Sequence, residues 1–314
     1  MKVTEHLANA TGPLITFEIV PPKRGGDLAS LLRLAEDLVK HRPAYIDITS
    51  HPAEIVYEET DAGIRKRVTR KRPGTLGVCA LLQNKFRVDA VPHVLCEGFT
   101  REETEDFLIE LHYLGIDNVF AVRGDSSGYE KLLQHGRTRN LYATDLVAQI
   151  TAMNSGRFLE ENIDASPTNF CIGVAAYPEK HVEAPNLQAD IARVKQKIDL
   201  GAEYIVTQMF FDNRRYFDLV EQCRARGITV PIIPGLKVLT TAQQTKSLPA
   251  TFNCDIPSAL AGEVEKAPDH ARDIGIAWAI EQGRELLAGG VPSMHFFVTS
   301  SSNAVDEVLA AIRN

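Results

Sequence analysis

The side chains best suited to chemistry in this sequence stand at the ends of short apolar runs. The first run, Thr16-Phe17-Glu18-Ile19-Val20-Pro21-Pro22, encloses a carboxylate among apolar neighbours. A carboxyl held away from water resists ionisation and its pKa climbs toward neutrality, where it can serve as a general acid or sit in a buried ion pair. Tyr45–Thr49 ends in Asp47 and Thr49, Val88–Val94 carries His93 near its end, and Asn118–Val122 meets Arg123-Gly124-Asp125. Phe170–Ala175 leads to Tyr177, Glu179 and His181, and Tyr204–Gln208 closes on Gln208. Each of these polar groups alone reads as a satisfied structural residue. Their recurrence at the ends of six apolar runs reads as one shared site.

The elements that must position these residues follow from periodicity. The six runs, the first of them spanning Leu14–Val20, together with Val230–Ile233 and His295–Thr299 give eight β-branched or aliphatic stretches, the number a closed barrel requires. Between them lie segments of helical period: Leu28–Lys40, Arg101–Leu114, Ala143–Met153, Leu187–Leu200, Arg215–Arg226 and Ala304–Ile312. Thr100 caps the second of these, and Glu102, Glu103 and Glu105 load its first turns as the helix dipole favours. Alternating strands and helices specify parallel βα units, so the expected fold is a single-domain (β/α)8 TIM barrel over residues 1–314. In such barrels the chemistry lies at the carboxyl ends of the strands, where the polar residues above are found. Leu76–Gln83 is read as a helix, because Val88–Val94 follows closely and already supplies a strand. Ala53–Arg72 is a long polar excursion at the barrel mouth, and Pro257–Gly290 holds more than one helix with Trp278 buried in it.

Composition narrows the partners. With 34 basic and 41 acidic residues the net charge is −7, a field that repels nucleic acid; the basic stretch Ile64–Arg72 has no interleaved aromatic residues and reads as solvated surface. The five cysteines are widely spaced without a C-x-x-C, which fits a reducing compartment better than a disulfide framework or zinc site. No signal-like segment opens the chain and no eighteen apolar residues run together, so a cytoplasmic protein without a membrane partner is expected.

In four blocks, Thr16–Pro22, Arg123-Gly124-Asp125, Ala175-Ala176-Tyr177-Pro178-Glu179-Lys180-His181 and Thr207-Gln208-Met209-Phe210-Phe211-Asp212, the chain resembles the methylenetetrahydrofolate reductases. The order and separation of the blocks are similar to that family over nearly the whole chain. The resemblance implies a barrel that holds FAD non-covalently without a Rossmann unit and takes NADH or NADPH and methylenetetrahydrofolate in turn at one site, feeding methionine synthesis. It implies that Glu18 is the acid assisting opening of the methylene bridge, that Asp125 faces the pterin and tunes the flavin, and that Gln208 pairs with the folate ring. Phe211 and Leu248 would wall the substrate. FAD would be held by Thr49, His93, Arg123, Gly124, Asp125, Tyr142, Ala143, Tyr177, His181, Asp190 and Lys197. Arg123 and Lys197 suit a pyrophosphate, Asp190 a hydroxyl, and Gly124 lets backbone approach the cofactor. Family members are usually homo-oligomers, which sets the expectation here.

The chain departs from the better-known bacterial pattern at Ser50-His51-Pro52-Ala53, where a Gly-rich run is usual, and at Met209 and Leu248, where many members have Phe. No segment resembles the carboxyl-terminal regulatory domain of eukaryotic members, so control by S-adenosylmethionine is not expected. Two other readings compete. One is a barrel using His93, His181 and Asp190 as metal ligands or Lys237 as an imine-forming amine. The other is a flavin- or folate-binding subunit that serves a partner complex.

Overall fold

The computed structural model describes residues 1–61, 63–72, 74–124, 131–161, 165–299 and 301–313. In chain order the elements are α1 (Val3–Asn9), β1 (Leu14–Ile19), α2 (Leu28–Val39), β2 (Tyr45–Ile48), β3 (Glu54–Thr60), β4 (Gly63–Thr69), α3 (Leu76–Leu81), β5 (Asp89–Leu95), α4 (Arg101–Tyr113), β6 (Asn118–Val122) and α5 (Ala143–Asn154). The second half continues with β7 (Cys171–Ala176), α6 (Leu187–Asp199), β8 (Tyr204–Met209), α7 (Asn213–Ala225), β9 (Ile232–Leu236), α8 (Gln244–Phe252), α9 (Ser258–Lys266), α10 (Ala271–Ala288), β10 (Ser293–Val298) and α11 (Asn303–Ile312). Eight strands close into a parallel barrel in the order β1-β10-β9-β8-β7-β6-β5-β2, with β2 returning to β1. This is the (β/α)8 barrel that the alternation of runs implies.

The strand sequences look uniformly apolar because both faces are covered. Their side chains nevertheless divide by parity. Phe17 and Ile19, Ile46 and Ile48, Ala90 and Val94, Val119 and Ala121, Ile172 and Val174, and Phe296 and Val298 join the outer core beneath the helices. The alternate positions Tyr45, Val91, Phe120, Cys171, Tyr204, Val206 and Ile233 fill the barrel interior together with Val3 of α1, which plugs the amino-terminal end. Advancing two residues along a strand stays on the same face. From that interior layer, Tyr45 therefore leads to Asp47, Val91 to His93 and Val206 to Gln208, all one layer nearer the carboxyl ends of the strands.

Local chemistry fixes the helix starts. Asp27 accepts from the amides of Ala29 at 2.9 Å and Ser30 at 3.1 Å ahead of α2. Thr100 and Glu103 form a reciprocal capping box at α4, at 3.2 and 2.9 Å. Several elements differ from the sequence expectation. Strands β3 and β4 pair antiparallel, with Ile55 opposite Val68 and Tyr57 opposite Lys66. The base of this pair is tied to the mouth, where the Arg24 amide donates to Lys71 O at 2.8 Å and the Arg72 guanidinium donates to Pro21 O. The helix at Leu76 continues as a π turn over Leu82–Phe86. Trp278 is only partly buried, with its indole Nε1 donating to Phe211 O at 3.0 Å. Among the described residues no helix is long and apolar enough to cross a membrane.

Candidate functional site

At the carboxyl end of the barrel lies a cavity of about 780 Å³, within the range of small-molecule and cofactor sites. Its lining draws from all eight barrel strands or the loops that follow them. The floor is polar and the walls are mixed. Glu18, Asp47, Thr49, His93, Arg123, Gly124, Tyr142, Ala143, Tyr177, His181, Asp190, Lys197, Gln208 and Leu248 all border it. Asp125 lies outside the described residues. Phe211 does not reach the cavity: it is 3% exposed, in a cluster with Met209, Leu239 and Leu248. The expectation that it walls the substrate is corrected, because the chain turns away after Met209 and buries the ring beneath α8–α10. Leu248, in the same cluster, does present surface to the cavity.

The floor is built by strand register. Glu18 and Asp47 are direct partners in the β1–β2 ladder, so both carboxyls point into the barrel from neighbouring strands. His93 Nε2 lies between them, 3.4 Å from Glu18 Oε2 and 3.5 Å from Asp47 Oδ2. Burial pushes the Glu18 carboxyl up to about 7; His93 and Lys237 pull against that shift and Asp47 adds to it. Burial also lifts Asp47 well above the usual carboxylate range and lowers His93, so the imidazole is neutral near pH 7. Lys237 Nζ approaches from β9 and donates to Phe297 O at 3.0 Å and Thr299 Oγ1 at 2.8 Å. His295, whose Nδ1 meets Thr16 Oγ1 at 2.9 Å, is pushed down to about 3 by burial and stays uncharged. On the β8 side the Gln208 carboxamide oxygen accepts from the Met209 amide at 2.8 Å. A carboxylic acid half protonated at neutral pH, lining the same cavity as an amide, can deliver a proton to a bound heterocycle.

The opposite wall suits an anion. Arg123 makes a two-pronged pair with Glu183, at 2.6 and 2.7 Å, and the Lys197 ammonium donates to Ala175 O at 2.6 Å. Burial lowers Lys197 to about 8, opposed by Asp190. Asp190 Oδ2 accepts from the His181 amide at 2.7 Å, and His181 meets Tyr177 edge-on with ring centroids 4.8 Å apart. Tyr142, Ala143 and Thr144 bring the amino-terminus of α5 to the cavity, where a helix dipole favours phosphate. Gly124 has φ +92°, and a Cβ there would stand 3.3 Å from Glu97 Cβ. Thr49 Oγ1 is buried without a hydrogen-bond partner. An anionic dinucleotide fits this donor set: two cations, a helix terminus, a glycine that admits backbone approach, and an unused hydroxyl. Among the described residues no group of three or more His, Cys, Asp and Glu is arranged to hold a metal ion.

Sequence reasoning undervalued three residues. Asp47 is visible as a strand-end carboxylate, and its face parity with Tyr45 could have placed it beside Glu18. Lys237 reads only as a possible imine former, although one step of two beyond Gly235 puts it on the interior face. Glu183 lies in a loop with no periodicity to orient it.

Eight parallel strands closed into a barrel, with a polar-floored cavity at their carboxyl mouth, define a (β/α)8-barrel protein with a site of small-molecule size. The chain belongs to the methylenetetrahydrofolate reductase family, whose model matches residues 2–313. It is 27% identical over 299 residues to 5,10-methylenetetrahydrofolate reductase of Pectobacterium carotovorum subsp. carotovorum, covering 94% of this chain and 89% of that one. It is 28% identical over 325 residues to methylenetetrahydrofolate reductase (NADH) 1 of Arabidopsis thaliana, covering 98% of this chain but 50% of that longer protein. In fold it is similar to a Clostridium thermocellum protein described as binding two copies of 5-methyl-5,6,7,8-tetrahydrofolic acid, with TM-score 0.61, 14% identity and coverage of 99% and 97%.

Proposed function

We propose that this chain reduces 5,10-methylenetetrahydrofolate to 5-methyltetrahydrofolate in the barrel-mouth cavity, with NADH or NADPH as hydride donor and non-covalent FAD as the carrier. The observation that carries the reading is Glu18, whose carboxyl is poised near neutrality at the cavity floor. FAD would be held by Arg123, Lys197 and the start of α5 at its phosphates, by Asp190 at a hydroxyl, and by Thr49, His93, Gly124, Tyr177 and His181 along its length. FAD held by these residues would supply the hydride-carrying chemistry between the nicotinamide and the folate.

The chain's own residues do the rest. Glu18 donates its proton to the bridge nitrogen of the folate, so that the methylene C–N bond opens to a cation able to take hydride. Gln208, whose carboxamide both donates and accepts, orients the pterin ring. For Asp125 the family resemblance supplies the role of a carboxylate that tunes the flavin. Leu248 and Phe297 exclude water from one side of the cavity. Since the reaction consumes one proton along with the hydride, a carboxyl half protonated at pH 7 suits the task better than an ordinary glutamate. The working environment of this reading is the cytoplasm, with a homo-oligomeric assembly and no nucleic-acid or membrane partner.

The test is direct. Purified chain supplied with FAD, NADH or NADPH and methylenetetrahydrofolate should yield 5-methyltetrahydrofolate by mass spectrometry. Binding of the folate without product, under either donor, would leave a binding subunit in place of an enzyme.

A further inference from the structure

The floor of the cavity holds two carboxyls and one imidazole nitrogen between them. His93 Nε2 is buried and makes no hydrogen bond, yet stands almost equally far from Glu18 Oε2 and Asp47 Oδ2. An unsatisfied buried nitrogen is costly, and either acid can satisfy it by turning its proton toward the ring. The choice matters. A Glu18 proton spent on His93 is not available to a substrate, and full transfer would leave an imidazolium beside a carboxylate.

Asp47 is the better partner. It is 1% exposed, against 17% for the Glu18 side chain, and its Oδ1 also lacks a hydrogen-bond partner. Two carboxyls this close in a buried site do not both ionise readily, and the more deeply buried one has more to lose by doing so. The groups facing it offer little to stabilise a charge. Tyr45 on its own strand, Tyr204 on β8 and Cys79 on α3 have pKa values raised by their own burial. His295 on β10 is uncharged, and Lys237, directly after β9, is committed to Phe297 O and Thr299 Oγ1 on the Glu18 side.

We propose that Asp47 is a neutral carboxylic acid that donates to His93 Nε2 and so keeps the Glu18 proton free for the substrate. His93 then carries its own proton on Nδ1. Asp47 acts through His93 and Glu18, which makes it a positioning residue, and the proposal rests on the reductase reading for the meaning of the Glu18 proton. No bond is made or broken in this role; a single O–H···N contact decides where one proton resides.

The test compares two substitutions of similar volume. Asp47→Asn retains an N–H donor for Nε2, whereas Asp47→Leu removes it. The readout is the alkaline midpoint of folate reduction against pH. With Asn it should stay within a few tenths of a unit of wild type; with Leu it should fall by a unit or more, as Glu18 gives its proton to the imidazole. A Leu midpoint that stays in place, or an Asn midpoint that falls as far as that of Leu, overturns the proposal. A second measurement needs no turnover. Infrared spectra of wild-type protein with ¹³C-labelled aspartate should show a protonated carboxyl stretch at pH 8 that Asp47→Asn removes, and its absence from wild type also overturns the proposal. If wild type makes no methyltetrahydrofolate, the reductase reading falls while the infrared result still decides the state of Asp47.

Discussion

Replacing Glu18 by Gln keeps the volume and a hydrogen-bond donor but removes the transferable proton. An ordinary glutamate with the reference pKa of 4.5 would be protonated in only about one molecule in 300 at pH 7, whereas a carboxyl at about 7 is protonated in roughly half. Burial therefore supplies about two orders of magnitude in available acid. General acid catalysis contributes roughly 10²–10⁴-fold, so Glu18→Gln should lose that much folate reduction, about 3–5 kcal/mol of barrier. Stopped-flow assays separate the two halves of the reaction. Oxidation of NADH or NADPH should persist within a few-fold of wild type, and only the step consuming methylenetetrahydrofolate should collapse. The same substitution has a thermodynamic signature. The native carboxyl contributes its full stability below about pH 4.5 and loses it as pH rises through about 7, a cost of ~3 kcal/mol above that window. Gln escapes that cost, so the variant should melt higher than wild type at pH 8 and at a similar temperature at pH 4. Folate turnover near the wild-type rate, or equal melting temperatures at pH 8, would remove Glu18 from its assigned role.

Other residues give sharper local tests. Lys197→Met removes a cation from the anion-binding wall and should weaken FAD binding at least tenfold by fluorescence titration. In wild type, binding should take up a proton above pH 8, because a nearby phosphate restores the charge that burial has weakened. Gly124→Ala forces a side chain into left-handed backbone and toward Glu97, at a cost of ~1–2 kcal/mol readable by denaturant melting, with cofactor affinity falling in parallel. Val3→Ala, at the plugged end of the barrel, should cost ~2 kcal/mol of stability while leaving KM for the folate unchanged, since that end serves packing and not chemistry.

The barrel was legible because each strand lies between helices and interior and must be apolar on both faces, so Asn118–Val122 is bounded alike by pattern and by structure. Edges elsewhere shift by one to three residues, as at Met209, Leu95 and Leu236. The β3–β4 pair was hidden by its surroundings. Tyr57, Ile64 and Val68 are all at least half exposed, so its alternating pattern buries no face, and charged residues between them read as loop. Helix α8 carries Pro249 within a short polar stretch, a composition that argues against a helix until the Leu248 side is packed. In the site, Glu18 announced itself as a carboxylate inside a strand. The pairing of Glu18 with Asp47 depends on strand register, and the opposition of Arg123 to Glu183 depends on a loop path. Neither is encoded in local spacing.

The most direct measurement is the visible spectrum of the purified chain reconstituted with FAD, followed through successive additions of NADH and methylenetetrahydrofolate. Yellow absorbance that bleaches with the nicotinamide and returns with the folate, accompanied by one equivalent of 5-methyltetrahydrofolate, is the predicted result. A chain that takes up no flavin, or a bleached spectrum that the folate leaves unchanged, would contradict the assignment of this cavity.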